Sequence, residues 1–262
     1  MDLTERDALR LMERAIALAI ALSSLELFQC RSALRDDGVF AWPVLRRDFE
    51  GTPPPFRTLL DGLLAYRPFV CLLGVQLAAA LLWIVTPGRL FAPLLLASHA
   101  LVGLRFRGSF NGGSDYMTSV VLTAIAVAEI GGSTASRRIG LGYAAAQLVL
   151  SYFASGVAKL AEPEWRRGHA LARLLNAPQY QAPATVVTIL TRHPRLACVL
   201  SWSILAFECS FPVALLAPQA ALVLLALALC FHLANTLVLG LNRFLWAWAA
   251  AFPALVYWST RL

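Results

Sequence analysis

The chain has 262 residues, 59% hydrophobic and 14% charged, with a mean hydropathy of +0.67. A soluble domain carries about 25% charged residues, so this chain lacks the polar surface to coat a water-soluble globule and is expected in a bilayer, as a multi-pass protein of the cell membrane. The net charge of +7 is almost all arginine, dispersed between apolar runs; it suits anionic lipid headgroups and excludes the clustered basic face of a nucleic-acid binder.

The first apolar run, 8–28, follows a segment of mixed charge and ends without a small-x-small cleavage site, so it reads as a retained first span. A polar loop, 31–58, follows with five arginines, four acids and Pro53-Pro54-Pro55. The prolines predict an extended stretch, and Phe40, Trp42 and Phe49 predict a loop resting on the membrane interface. Further spans are expected over 65–86, 91–104 and 116–130, the last entered through Asn111-Gly-Gly with Ser114 or Asp115 as cap. A fifth span covers 140–160. The segment 165–195 is too polar to cross, and its two short helical candidates, 168–175 and 184–191, are expected in the interface. The remaining spans are 196–216, 218–239 and 244–258. The fold class is therefore all-α, a polytopic transmembrane bundle of about eight spans with short interfacial helices, forming one domain over 1–262. Arginine counts under this scheme put the 31–58 and 161–195 loops in the cytoplasm and both termini outside.

A charge at mid-membrane costs roughly 2.5–3.5 kcal/mol on insertion scales, so polar groups inside the apolar runs mark the candidate site. Lys159, the chain's one lysine, ends the fifth span. Tyr152, Ser155, Gly156 and Lys159 share one helix face, small and hydroxylated, that lets a helix or ligand come close. From position alone Lys159 is either a snorkelling anchor or a partly desolvated amine able to act as a base. Glu208 stands about 12 residues into its span and needs a partner, water or a proton; Lys159 and Arg243 are the candidate partners. His232 and Asn235 lie one turn apart and read either as an interhelical clamp or as recognition of a polar ligand head. The five cysteines form no C-x-x-C pair and the histidines share no ligand spacing, so no metal site is expected.

Tyr152-Phe-Ala-Ser-Gly-Val-Ala-Lys-Leu160, followed by Glu164-Trp-Arg-Arg-Gly-His-Ala170, resembles the HTTM domain. This is the horizontally transferred transmembrane domain shared by vitamin K-dependent gamma-carboxylase and many bacterial proteins. Phe110-Asn-Gly-Gly-Ser-Asp-Tyr-Met117, Phe207-Glu-Cys-Ser-Phe-Pro212 and the stretch from Phe231-His232 to Trp246 resemble three further blocks of that family, in the same order. The resemblance implies that Lys159 is the base that deprotonates a reduced, vitamin K-like quinone. Glu208 would tune it, and Tyr152, Gly156, Asp115, His232 and Asn235 would bind substrate or cofactor. The carboxylase has a histidine where Asp115 stands, and it continues into a soluble propeptide-binding domain for which this chain has no counterpart after Leu262. The implied function is thus an integral-membrane enzyme with carboxylase-like base chemistry but without that domain. The alternative is a non-catalytic membrane helper for maturation of, or immunity to, a secreted peptide. The expected partners are the lipid bilayer and either a peptide substrate or a separate soluble partner.

Overall fold

The computed structural model describes residues 3–108, 112–180 and 182–261. Every regular element among them is a helix. The chain divides into two compact units, one of residues 9–140 and one of residues 1–8 with 141–262.

The first helix, α1, runs Glu5–Gln29. Thr4 caps it: its Oγ1 accepts from the Asp7 backbone N–H and donates to the Asp7 carboxylate, which satisfies an orphan donor of the first turn. The polar loop is more helical than proline content suggests. It holds one-turn 3-10 helices at Arg31–Leu34 and Arg46–Phe49, a short α2 at Trp42–Leu45, and α3 at Pro54–Leu64. Pro54 and Pro55 open α3 instead of extending the chain, because the first helical turn has no use for their missing N–H groups and their fixed φ is already helical. The expectation of an extended triproline stretch is corrected on that ground.

Next come α4 at Tyr66–Val85, α5 at Phe91–Arg105 and α6 at Gly112–Gly131. Phe110 and Asn111, which the sequence puts at the entry to α6, lie outside the described residues. The core of the 9–140 unit includes Leu27, Leu34, Trp42, Leu60, Phe69 and Phe106, so the polar loop packs onto the ends of α4 and α5. Here Trp42 Nε1 donates to Asp61 at 2.8 Å and Arg46 pairs with the same carboxylate at 2.6 Å.

The 28-residue α7, Thr134–Ala161, leads into α8 at Pro163–Arg166, α9 at His169–Leu175 and α10 at Ala184–Arg192. Gly168, at φ 79°, makes the turn before α9, and a Cβ there would meet the Cys198 backbone at 2.6 Å. Then follow α11 at Pro194–Ser210, continued by a 3-10 turn at Phe211–Leu215, and α12 at Pro218–Leu239. The last expected span, 244–258, is two helices, α13 at Asn242–Ala249 and α14 at Phe252–Ser259. Pro253 explains the break: it has no N–H for the carbonyl of Ala249, and its ring collides with that carbonyl in a continuous helix.

Among the described residues, four helices are long and apolar enough to cross a membrane: α4, α7, α11 with its 3-10 extension, and α12; α5 is a shorter apolar helix. In the unit of residues 1–8 and 141–262, the two chain ends are joined. Arg261 donates to the Leu3 and Tyr257 carbonyls at 2.9 and 2.8 Å, and Tyr257 donates to Glu5 at 3.0 Å.

Candidate functional site

The site is built where α7 meets α11. Tyr152, Gly156 and Lys159 fall on one face of α7. On α11, Glu208 stands in the last turn of the regular helix, and Pro212 accounts for the end of that helix. Pro212 has no N–H for the Glu208 carbonyl, so the Phe211 N–H closes a tighter turn onto it. Tyr152 meets Phe211, Gly156 meets Glu208 and Cys209, and Lys159 meets Glu208. Numbers rise on α7 as they fall on α11, so the two helices run antiparallel here.

Glycine at 156 sets the spacing. A Cβ at this position would stand 2.8 Å from the Cys209 backbone nitrogen and Sγ, and 2.9 Å from Glu208 Cβ. The close approach brings Lys159 Nζ to 2.6 Å from both Oε1 and Oε2 of Glu208. The Glu208 side chain is 3% exposed and that of Lys159 23%, so the amine alone keeps an outlet. The Trp165 ring of α8 lies 5.5 Å from the amine and offers it a π face.

Two turns back along α7, Tyr152 is buried and its ring stacks on Phe211 at 4.0 Å. Its hydroxyl is 2.7 Å from His232 Nε2 of α12. Phe207 and Phe231 extend this wall, and Trp248 of α13 lies 5.3 Å from the His232 ring while its Nε1 donates to Ser151 Oγ. His232 Nδ1 is buried without a hydrogen-bond partner among the described residues. Removing the hydroxyl in Tyr152→Phe would leave both ring nitrogens without one. The expected cost is about 1–3 kcal/mol in equilibrium unfolding, the penalty for an unsatisfied buried polar group.

The structure thus gathers Tyr152, Gly156, Lys159, Glu208 and His232 in one unit. Asn235, half-buried, sits one turn beyond His232, and its backbone carbonyl accepts from Leu241 N–H as Gly240, at φ 71°, ends α12. Asp115 belongs to the 9–140 unit, where its carbonyl accepts from His99 Nε2 and from Ser119 Oγ, each at 3.0 Å. Reasoning from sequence left out Trp165, Phe211 and Trp248. Phe207 and Phe211 did carry a signal, their i, i+4 spacing on the face that holds Glu208.

Residues 141–259 match the HTTM domain family model. The match begins where the second compact unit resumes, at Leu141, and covers the whole cluster just described. Neither the curated proteins nor the solved structures return a match.

Proposed function

We propose that this chain, whose residues 141–259 match the HTTM domain family model, is a multi-pass integral-membrane enzyme in which Lys159 is a general base acting beside a quinone-type cofactor. The observation that carries this reading is the contact of Lys159 Nζ with both oxygens of buried Glu208. At this distance a proton can pass directly between amine and carboxylate. Moving it onto Glu208 leaves a neutral amine, the form that can accept a proton from a substrate. Glu208 is then the reservoir for that proton, and Trp165 shields the amine from bulk water. The 23% exposure of Lys159 supplies the route by which a reacting group reaches it.

The residues present fit a reduced quinone. Tyr152, Phe207, Phe211 and Trp248 make the lining aromatic, so a flat ring would enter by parting rings that now pack on one another, and His232 Nδ1, without a partner among the described residues, can bond a ring oxygen. Tyr152, His232 and Trp248 would hold it, with Asn235 as a further candidate for orienting substrate. When bound, it supplies an ionisable ring hydroxyl and two reducing electrons.

Lys159→Arg tests the reading. Arginine keeps the charge and the bond to Glu208 but does not deprotonate in proteins. Turnover of a reduced quinone by purified protein is expected to fall roughly 10²–10⁴-fold, the usual share of a general base, at unchanged expression. Full activity in Lys159→Arg would sink it. A second reading draws on the same ion pair as a clamp between α7 and α11: a non-catalytic helper for maturation of, or immunity to, a secreted peptide. On that reading Lys159→Arg leaves function intact, and a peptide rather than a quinone co-purifies.

A further inference from the structure

Arg105 is the largest fully buried side chain of the molecule, at 0% exposure. It ends α5 within the 9–140 unit, among the apolar residues that join the polar loop to α4 and α5. Its guanidinium carries five N–H donors. One nitrogen, Nη2, donates to the Leu34 carbonyl at 3.1 Å, while Nε and Nη1 have no acceptor among the described residues. The rings of Trp42 and Phe69 stand 5.6 and 5.4 Å from the guanidinium carbon. Ring faces attract a cation but accept no in-plane N–H bonds. Among the carboxylates, Asp61 is engaged by Trp42 and Arg46 and Asp48 by Arg107 at 2.6 Å, while exposed Asp36 attracts the guanidinium through space without a hydrogen bond to it. A buried charge with one carbonyl bond and two nitrogens whose N–H groups lack acceptors is poorly compensated unless an anion completes it. The C-terminal end of α5 supplies part of that compensation and no more.

We propose that Arg105 anchors an oxyanion site at the end of α5 that takes the phosphate of an anionic lipid headgroup. A guanidinium matches phosphate oxygens in geometry and charge. The surroundings favour a lipid source. Trp42, Phe69 and Phe106 make the walls apolar and aromatic, and the site lies at the ends of α4 and α5, both apolar helices. Half-exposed Arg46 and Arg107 flank it and draw anions from the interface. The turn Arg31–Leu34, a single 3-10 turn without a side-chain cap, covers the guanidinium through Leu34. Its Leu34 carbonyl holds the one hydrogen bond that an incoming phosphate competes for. The site is independent of Lys159 and survives if the enzyme reading fails.

The test uses full-length protein, delipidated in detergent and titrated separately with phosphatidylglycerol, phosphatidylcholine and inorganic phosphate. Unfolding temperature and lipid retained in native mass spectrometry are the readouts. Phosphatidylglycerol is expected to raise the unfolding temperature and to remain bound at one per chain. Arg105→Lys, which keeps the charge and loses the planar fork, is expected to weaken this about tenfold or more, the effect of losing one charge-assisted hydrogen bond. Arg192→Lys, exposed at the end of α10 in the other compact unit, is expected to stay near wild type. An equal response to inorganic phosphate would keep the oxyanion site and assign it a soluble source. Three results overturn the proposal: no response to either probe, an equal response in Arg105→Lys, or an equal response to phosphatidylcholine. The wild-type titration stands by itself should the variant fail to fold.

Discussion

Glu208→Leu is expected to destabilise the unit of residues 1–8 and 141–262 by about 3 kcal/mol, the low end of the cost of breaking a buried ion pair. The reason is asymmetric burial. Glu208 is 3% exposed and Lys159 23%, so the leucine variant strands a cation that can recover only part of its hydration. The double variant Lys159→Met with Glu208→Leu removes both charges and fills the same space with apolar atoms. It is expected to regain most of the loss, because two ions then no longer need to be desolvated. Unfolding in mixed micelles, run on both singles and the double, measures the coupling. A single-variant loss within 0.5 kcal/mol of zero, the range of ordinary surface substitutions, would mean that the pair does not hold α7 to α11.

Gly156→Val is the second large effect. Even the Cβ would stand 2.8 Å from a backbone nitrogen of α11 and 2.9 Å from Glu208 Cβ. Neither atom is the loose end of a flexible side chain, so the helices must part. Overpacking of this kind costs about 1–3 kcal/mol, and separation also lengthens the Lys159–Glu208 contact. Cys209, whose Sγ faces the same spot, reports the separation: its reaction with a maleimide is expected to speed up as α11 moves off α7. Unchanged stability with unchanged labelling would show that the contact is not tight.

These two expectations depend on pairings that the sequence discloses unequally. Lys159 and Glu208 were legible as partners because each is a charge in an apolar run and each needs the other. Tyr152 and His232 were not, since 80 residues separate them and nothing in the helical period of α7 or α12 says which faces meet. Helix ends followed local chemistry. Pro218 and Gly240 bracket α12, whose bounds agree with the span read from sequence, and α9 and α10 match to within one residue. The misread places are those where proline acts in two ways: as a helix opener at 54 and 55, and as a breaker at 253. Asp115 was grouped with Lys159 through the family resemblance; it lies in the 9–140 unit and Lys159 in the other.

The joined ends carry a consequence for topology. Leu3 bonds Arg261, and Glu5 bonds Tyr257, so the start of α1 and the end of α14 lie at the same depth. A path that leaves one level and returns to it traverses any membrane an even number of times. If the chain crosses a membrane, an even number of crossings between residues 5 and 259 is therefore expected, whichever of the shorter helices cross. Short tags placed at either end must emerge into the same compartment.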